Sequence, residues 1–178
     1  MEITKEKKIV LEGDFENIIE IEDHYYLVSQ KDRVAVIPYT IDSRGLLDQI
    51  GVVEDWNYIS EEKDLTLIND YISTDDDTDL VSANRILFEM IGVNITDAML
   101  WMYLGTVSCS LLSDSPIKLY ACDISNIEIA DGYTEEEAKI QKFKLLDSSR
   151  VLQTDDMLFL SSYLRLFNYF YVNSIQEK

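Results

Sequence analysis

The side chains in this sequence that could do chemistry are mostly carboxylates, and they gather in three places. Residues 73–79 read Ser-Thr-Asp-Asp-Asp-Thr-Asp, so Asp75, Asp76, Asp77 and Asp79 crowd one short segment. Arg85 and Glu89 stand four residues apart, which places them on one face of any helix that carries them. Glu135, Glu136 and Glu137 are consecutive. Carboxylate oxygens are the ligands that hard dications take, and a bound dication can activate water. Each group also has a plainer reading. Asp and Thr cap the orphan amides of a helix start and suit its positive end. Arg85 and Glu89 fit a surface ion pair worth a few tenths of a kcal/mol. Glu135–Glu137 fits a solvated acidic loop. A calcium loop starting at Asp75 would need glycine at position 80 and glutamate at 86, where the chain has Leu80 and Ile86. With His24 as its one histidine, the chain holds no Ser-His-Asp set. Cys109 and Cys122 with His24 make no zinc site, and buried free thiols in a reducing compartment are expected. The six glycines are scattered and form no phosphate-binding pattern.

The elements that must position these groups follow from patterning. Strands are expected at Lys8–Glu12, at 15–22 with Ile18, Ile19 and Ile21 set against glutamates, and at His24–Ser29. Arg33–Ile41 (RVAVIPYTI) is rich in β-branched residues and reads as a buried strand, with Pro38 near an edge or bulge. Residues 42–64 read as mostly irregular, and 65–71 as a further apolar run. A helix is expected from the acidic segment to Ile91. Its stripe is Leu80, Ala83, Leu87 and Ile91, and Gly92 is the stop. Strands at Trp101–Ser108, 117–124 and 137–145 precede a long, very apolar helix announced by Thr154-Asp155-Asp156. Strands, helix, strands, helix point to a mixed α/β sandwich.

The chain has 178 residues, 34 of them acidic and 15 basic, for a formal net charge of −19. That length favours one domain able to build its own core. Its field repels phosphate backbones and anionic lipid, so direct nucleic-acid binding is not expected. Docking onto a basic partner and a solvated, soluble surface both fit the acidity. Nothing reads as a signal peptide or a membrane span, so a cytoplasmic location is expected. Frequent Ile, scarce Pro and twice as many Lys as Arg fit an AT-rich genome, including that of a phage, in which case a virion location is open.

Residues 79–95, DLVSANRILFEMIGVNI, resemble the Nudix box, G-x5-E-x7-R-E-U-x-E-E-x-G-U, with U a bulky aliphatic. The flanking segments fit the same family. Tyr103-Leu104-Gly105 follows the box, then 118–124 (KLYACDI), then the glutamates at 135–137 and a helical C-terminus, as in ADP-ribose and nucleotide-sugar pyrophosphatases. The resemblance implies an α/β fold. It would be a Nudix-like mixed-sheet α/β/α sandwich with an N-terminal β-hairpin extension (1–32), a core at 33–178 and a C-terminal helix. It would form a single domain over 1–178. Laid on the box, Asp77 takes the early glutamate, Arg85 the arginine, Leu87 and Val93 the aliphatics, Glu89 the first of the paired glutamates and Gly92 the late glycine. Tyr71 stands where the box opens with glycine. Ile86 and Met90 replace the two glutamates that are usually the central magnesium ligands.

Ile86 and Met90 share a helix face. Apolar side chains offer magnesium no donor, so a pyrophosphatase of the usual mechanism would lose several orders of magnitude. The resemblance therefore implies a non-catalytic descendant without a cofactor, in a protein-binding or assembly role, with a protein partner or a homodimer. The C-terminal helix, apolar on more than one stripe, supplies interface candidates in Tyr163, Phe167, Phe170 and Tyr171. Core burial alone explains that helix equally. Two alternatives stand beside this reading. One is a magnesium-dependent hydrolase with relocated ligands, Glu89, Asp77 and Glu136. The other is a sensor that binds a nucleotide without turnover.

Overall fold

The computed structural model describes residues 7–14, 16–29, 31–57, 61–108, 116–127, 142–154 and 156–176. Alternating branched and polar residues at the N-terminus form a three-stranded antiparallel meander, β1 (Lys8–Glu12), β2 (Glu16–Ile21) and β3 (His24–Ser29). It is one strand more than a hairpin. Glu22 and Asp23 turn β2 into β3 with φ of 52° and 63°. Positive φ at both turn residues matches the right-handed twist of the flanking strands. Ile19 is buried, whereas Ile9, Val10, Leu11 and Tyr25 stay exposed.

The remaining strands are β4 (Arg33–Ile41), β5 (Leu47–Asn57), β6 (Glu62–Thr66), β7 (Ile68–Tyr71), β8 (Trp101–Ser108), β9 (Pro116–Asp123) and β10 (Lys142–Asp147). They make one sheet in the order β10-β5-β4-β9-β8, with β6 against β5 and β7 against β4. The β4–β9 pair is parallel and the other pairs are antiparallel, so the sheet is mixed. β4 is its axis. Val34 and Val36 face one layer, and Ala35, Ile37 and Tyr39 the other. Helix α1 (Asp79–Ile91) packs on the first face through Ala83, Ile86, Leu87 and Ile91. Helix α2 (Met157–Gln176) packs on the second through Phe159, Tyr163 and Leu166. The architecture is an α/β/α sandwich.

Pro38 sits inside this central strand, and the sheet explains why it is tolerated. On one edge of β4, β7 pairs with residues 33–36, and the β4–β5 register begins at Tyr39. Pro38, which has no N–H to donate, falls in the handover between the two neighbours.

Residues 42–64, expected to be mostly irregular, instead hold β5 and the start of β6. At its centre β5 is covered on both faces, so Ile50, Gly51, Val52 and Val53 are buried in succession and show no alternation. Gly51 interrupts the apolar pattern for a steric reason. A Cβ there would lie 2.8 Å from the Phe143 ring and 3.0 Å from Pro38, so any side chain would force those neighbours to shift.

Candidate functional site

Helix α1 is built by local signals. The Thr78 hydroxyl accepts from the Val81 amide at 3.3 Å, and Asp79 lies in the first turn. Gly92 ends it in the left-handed region, φ 70°, donating its N–H to the Phe88 carbonyl at 2.8 Å. The face of α1 opposite the core carries a compact polar network centred on Arg85. Its Nη1 donates to both Glu89 carboxylate oxygens at 3.1 and 3.2 Å. Nε donates to Asp76 at 3.1 Å, and Nη2 to the Tyr71 carbonyl at 3.2 Å. Asp76 also accepts from the Ser82 hydroxyl at 2.6 Å and from the Ser73 amide at 3.3 Å. Burial of Asp76 opposes its ionisation, but the Ser82 hydrogen bond and the Arg85 guanidinium outweigh it and hold the carboxyl below its usual range. Lys118 of β9 ties the start of α1 to the sheet, reaching Asp79 at 2.9 Å and Asp32 at 3.3 Å.

The alignment sets Asp77 at the early glutamate of the box, and the acidic side chain on Arg85 is its neighbour. Asp77 is exposed, and the carboxylate that meets Arg85 from the acidic segment is that of Asp76. Sequence spacing pointed to 77 because the signature counts residues along the chain. The turn at 73–76 brings 76 back onto the helix, where Ser82 and Arg85, three apart, receive it. Leu87 and Val93 are fully buried. Glu136 lies outside the described residues.

Ile86 is fully buried, inside the apolar cluster with Val34, Val36, Ile68 and Leu87. Met90 is half-buried and packs against that cluster, as do Phe143 and Leu145 of β10. Glu89 has both oxygens on Arg85. Among the described residues no group of three or more His, Cys, Asp or Glu is placed to hold a metal ion. Of the positions that the box resemblance gives to magnesium ligands, Ile86 lies in the core, Met90 packs against it and Glu89 is engaged by a cation, so these side chains do not fit a magnesium site of the Nudix kind.

Two concavities lie on the other face of the sheet. One, of about 450 Å³, runs between α2 and β8 past Met102, Arg165 and Tyr169. A second, of about 280 Å³, reaches Tyr39 and Asp123 at the ends of β4 and β9. Burial, and then the charge of Asp123, raise the Tyr39 phenol, which stays neutral. Cys122 is a buried free thiol whose ionisation burial suppresses; Cys109 lies outside the described residues.

Of the four interface candidates, the structure removes two. Tyr163 is buried and Phe170 packs edge-on against Tyr39, ring centroids 5.4 Å apart. They belong, with Phe159 and Leu166, to the face that covers the sheet. Phe167 and Tyr171 are exposed, with rings stacked at 6.2 Å and 10°.

A mixed sheet flanked by a capped box-like helix and a C-terminal helix defines the Nudix fold. Solved structures share it. An ADP compounds hydrolase superposes with a TM-score of 0.66 over 94% of this chain and 93% of its own, at 13% identity. The NUDIX domain of Shewanella oneidensis NrtR, complexed with ADP ribose, superposes with a TM-score of 0.57 over 77% of this chain and 87% of its own, at 21% identity. No family model and no curated protein matches the sequence. Among the described residues no helix is long and apolar enough to cross a membrane.

Proposed function

We propose that this protein is a non-catalytic Nudix-fold subunit, one Nudix-like domain over 1–178, whose role is to bind protein. The observation that carries the reading is Ile86. A position that would present a carboxylate to magnesium is a fully buried member of the α1 core. Burial there is worth roughly 2–3 kcal/mol of apolar stabilisation, so the residue serves the fold. Met90 on the same face supports the reading, as does Glu89, whose carboxylate is neutralised by Arg85. The test is direct. Purified protein with magnesium or manganese should hydrolyse neither ADP-ribose nor nucleoside-diphosphate sugars, and calorimetry should detect no dication binding at millimolar concentrations. Robust metal-dependent turnover would overturn the proposal in favour of a hydrolase with relocated ligands. A cytoplasmic setting suits the acidic surface and the protonated Cys122 thiol, and a virion setting belongs to the same proposal if the chain is of phage origin.

A second reading rests on one finding, that a structure sharing this fold holds ADP ribose. In that reading the protein binds a nucleotide and does not cleave it. A rise in melting temperature with ADP-ribose, without products, would support it.

A further inference from the structure

α2 is apolar on two sides, and the fold uses one of them. Phe159, Tyr163, Leu166 and Phe170 cover the sheet. Met157, Leu160, Leu164, Phe167 and Tyr171 form a second stripe, at alternating spacings of three and four residues. That period is the one by which two helices pack along a seam. Leu160 is half-buried, and the other four stand 71%, 56%, 46% and 57% exposed.

We infer that this stripe is a self-association surface and that its occupant is α2 of a second copy of the chain, the two helices antiparallel about a two-fold axis at Leu164. The inference deepens the protein-binding role proposed above by naming the partner, and it rests on that reading.

Charge supports a second copy. Two chains of net charge −19 repel each other, so their contact must exclude carboxylates. The chain has 34 acidic side chains and places none among the twenty residues of α2, whose one charge is Arg165. The pattern is also self-complementary, as a two-fold contact requires. With Leu164 on the axis, Met157 faces Tyr171 of the second copy and Leu160 comes within one residue of its Phe167. Leu164 meets itself, and on either side of the axis an aliphatic lies by an aromatic. Area is sufficient. At their exposures the four exposed side chains present on the order of 500 Å² per copy, so two copies bury about 1,000 Å², the lower bound for a specific interface.

The experiment is sedimentation equilibrium of the full chain from about 1 to 100 μM. A monomer–dimer equilibrium is expected. Leu164→Asp with Tyr171→Asp should weaken it at least tenfold and leave the circular dichroism spectrum and cooperative melting unchanged, because neither side chain belongs to the core. Val10→Asp, on the exposed meander, should leave the dimer intact. Leu164→Cys should form an intermolecular disulfide under mild oxidation beyond that of the unsubstituted chain. Met157→Cys should not, because the axis brings only Leu164 against itself. A monomer throughout, loss of the dimer in Val10→Asp with none in the α2 variant, or equal cross-linking at 157 and 164 would each overturn the inference. None of these results bears on metal binding or hydrolysis, so the reading it rests on fails or stands by its own assays.

Discussion

Replacing Ile86 with glutamate supplies the residue type that the Nudix signature has there, and the structure predicts that it breaks the protein instead of creating a metal site. Ile86 is fully buried against Val34, Val36, Ile68 and Leu87. Ile86→Glu forfeits about 2–3 kcal/mol of apolar burial at any pH. The introduced carboxyl has no cation beside it, since Arg85 on the opposite side of α1 is held by Asp76 and Glu89. Desolvation then raises its folded-state pKa by about 3–5 units above the unfolded value near 4.3. The folded state binds more protons than the unfolded one, so stability falls as pH rises between those two values. For a carboxyl raised to about 8, the extra loss between pH 5.5 and pH 8 is roughly 3 kcal/mol, at about 1.4 kcal/mol per unit. The total at pH 8 approaches the whole stability of an ordinary domain, about 5–15 kcal/mol. Urea unfolding followed by tryptophan fluorescence at both pH values, with and without magnesium, measures it. A loss below about 1 kcal/mol at pH 8, or stabilisation by magnesium, would refute the reasoning, because either would mean that position 86 opens onto a solvated cleft.

Other consequences are smaller. Arg85→Ala leaves the mostly buried Asp76 with only the Ser82 hydroxyl and the Ser73 amide and should cost about 1–3 kcal/mol. The folded-state carboxyl of Asp76 lies below its unfolded value, so its contribution is present above about pH 4 and lost as pH falls through the folded value. Melting temperatures measured between pH 6 and 3.5 should therefore fall less steeply in Arg85→Ala than in the parent. Thr78→Ala removes the α1 cap and should cost about 1 kcal/mol in urea unfolding. Gly51→Ala pushes a methyl into the Phe143 ring and Pro38 and should cost about 1–3 kcal/mol; an unchanged urea midpoint would show that the strands can part. Arg165 donates to the Leu104 and Thr106 carbonyls at 2.9 and 3.1 Å, on edge strand β8. Arg165→Ala should free that edge and raise concentration-dependent light scattering, and scattering equal to the parent's would show that the edge is protected by other means.

The order of elements outside residues 42–64, the extent of α1 and the α2 start were legible because they rest on local chemistry. Thr78 and Gly92 cap whichever helix lies between them, and Asp156, accepting from the amides of Leu158 and Phe159, does the same for α2. β5 was not legible, because strand alternation exists only where one face meets water, and tertiary packing covers both faces at Ile50–Val53. That positions 86 and 90 carry no oxygen donor was determined by sequence alone, since residue type decides whether one exists. What became of those positions was decided by the tertiary structure: α1 turns Ile86 into the sheet and leaves Glu89 outside, on Arg85. The turn at 73–76 likewise set Asp76 on Arg85, and on α2 the helical rotation separated Tyr163 and Phe170, packed on the core side, from Phe167 and Tyr171, left on the surface. Composition sets which side chains a helix carries, but which of them meet water depends on what the rest of the chain packs against it.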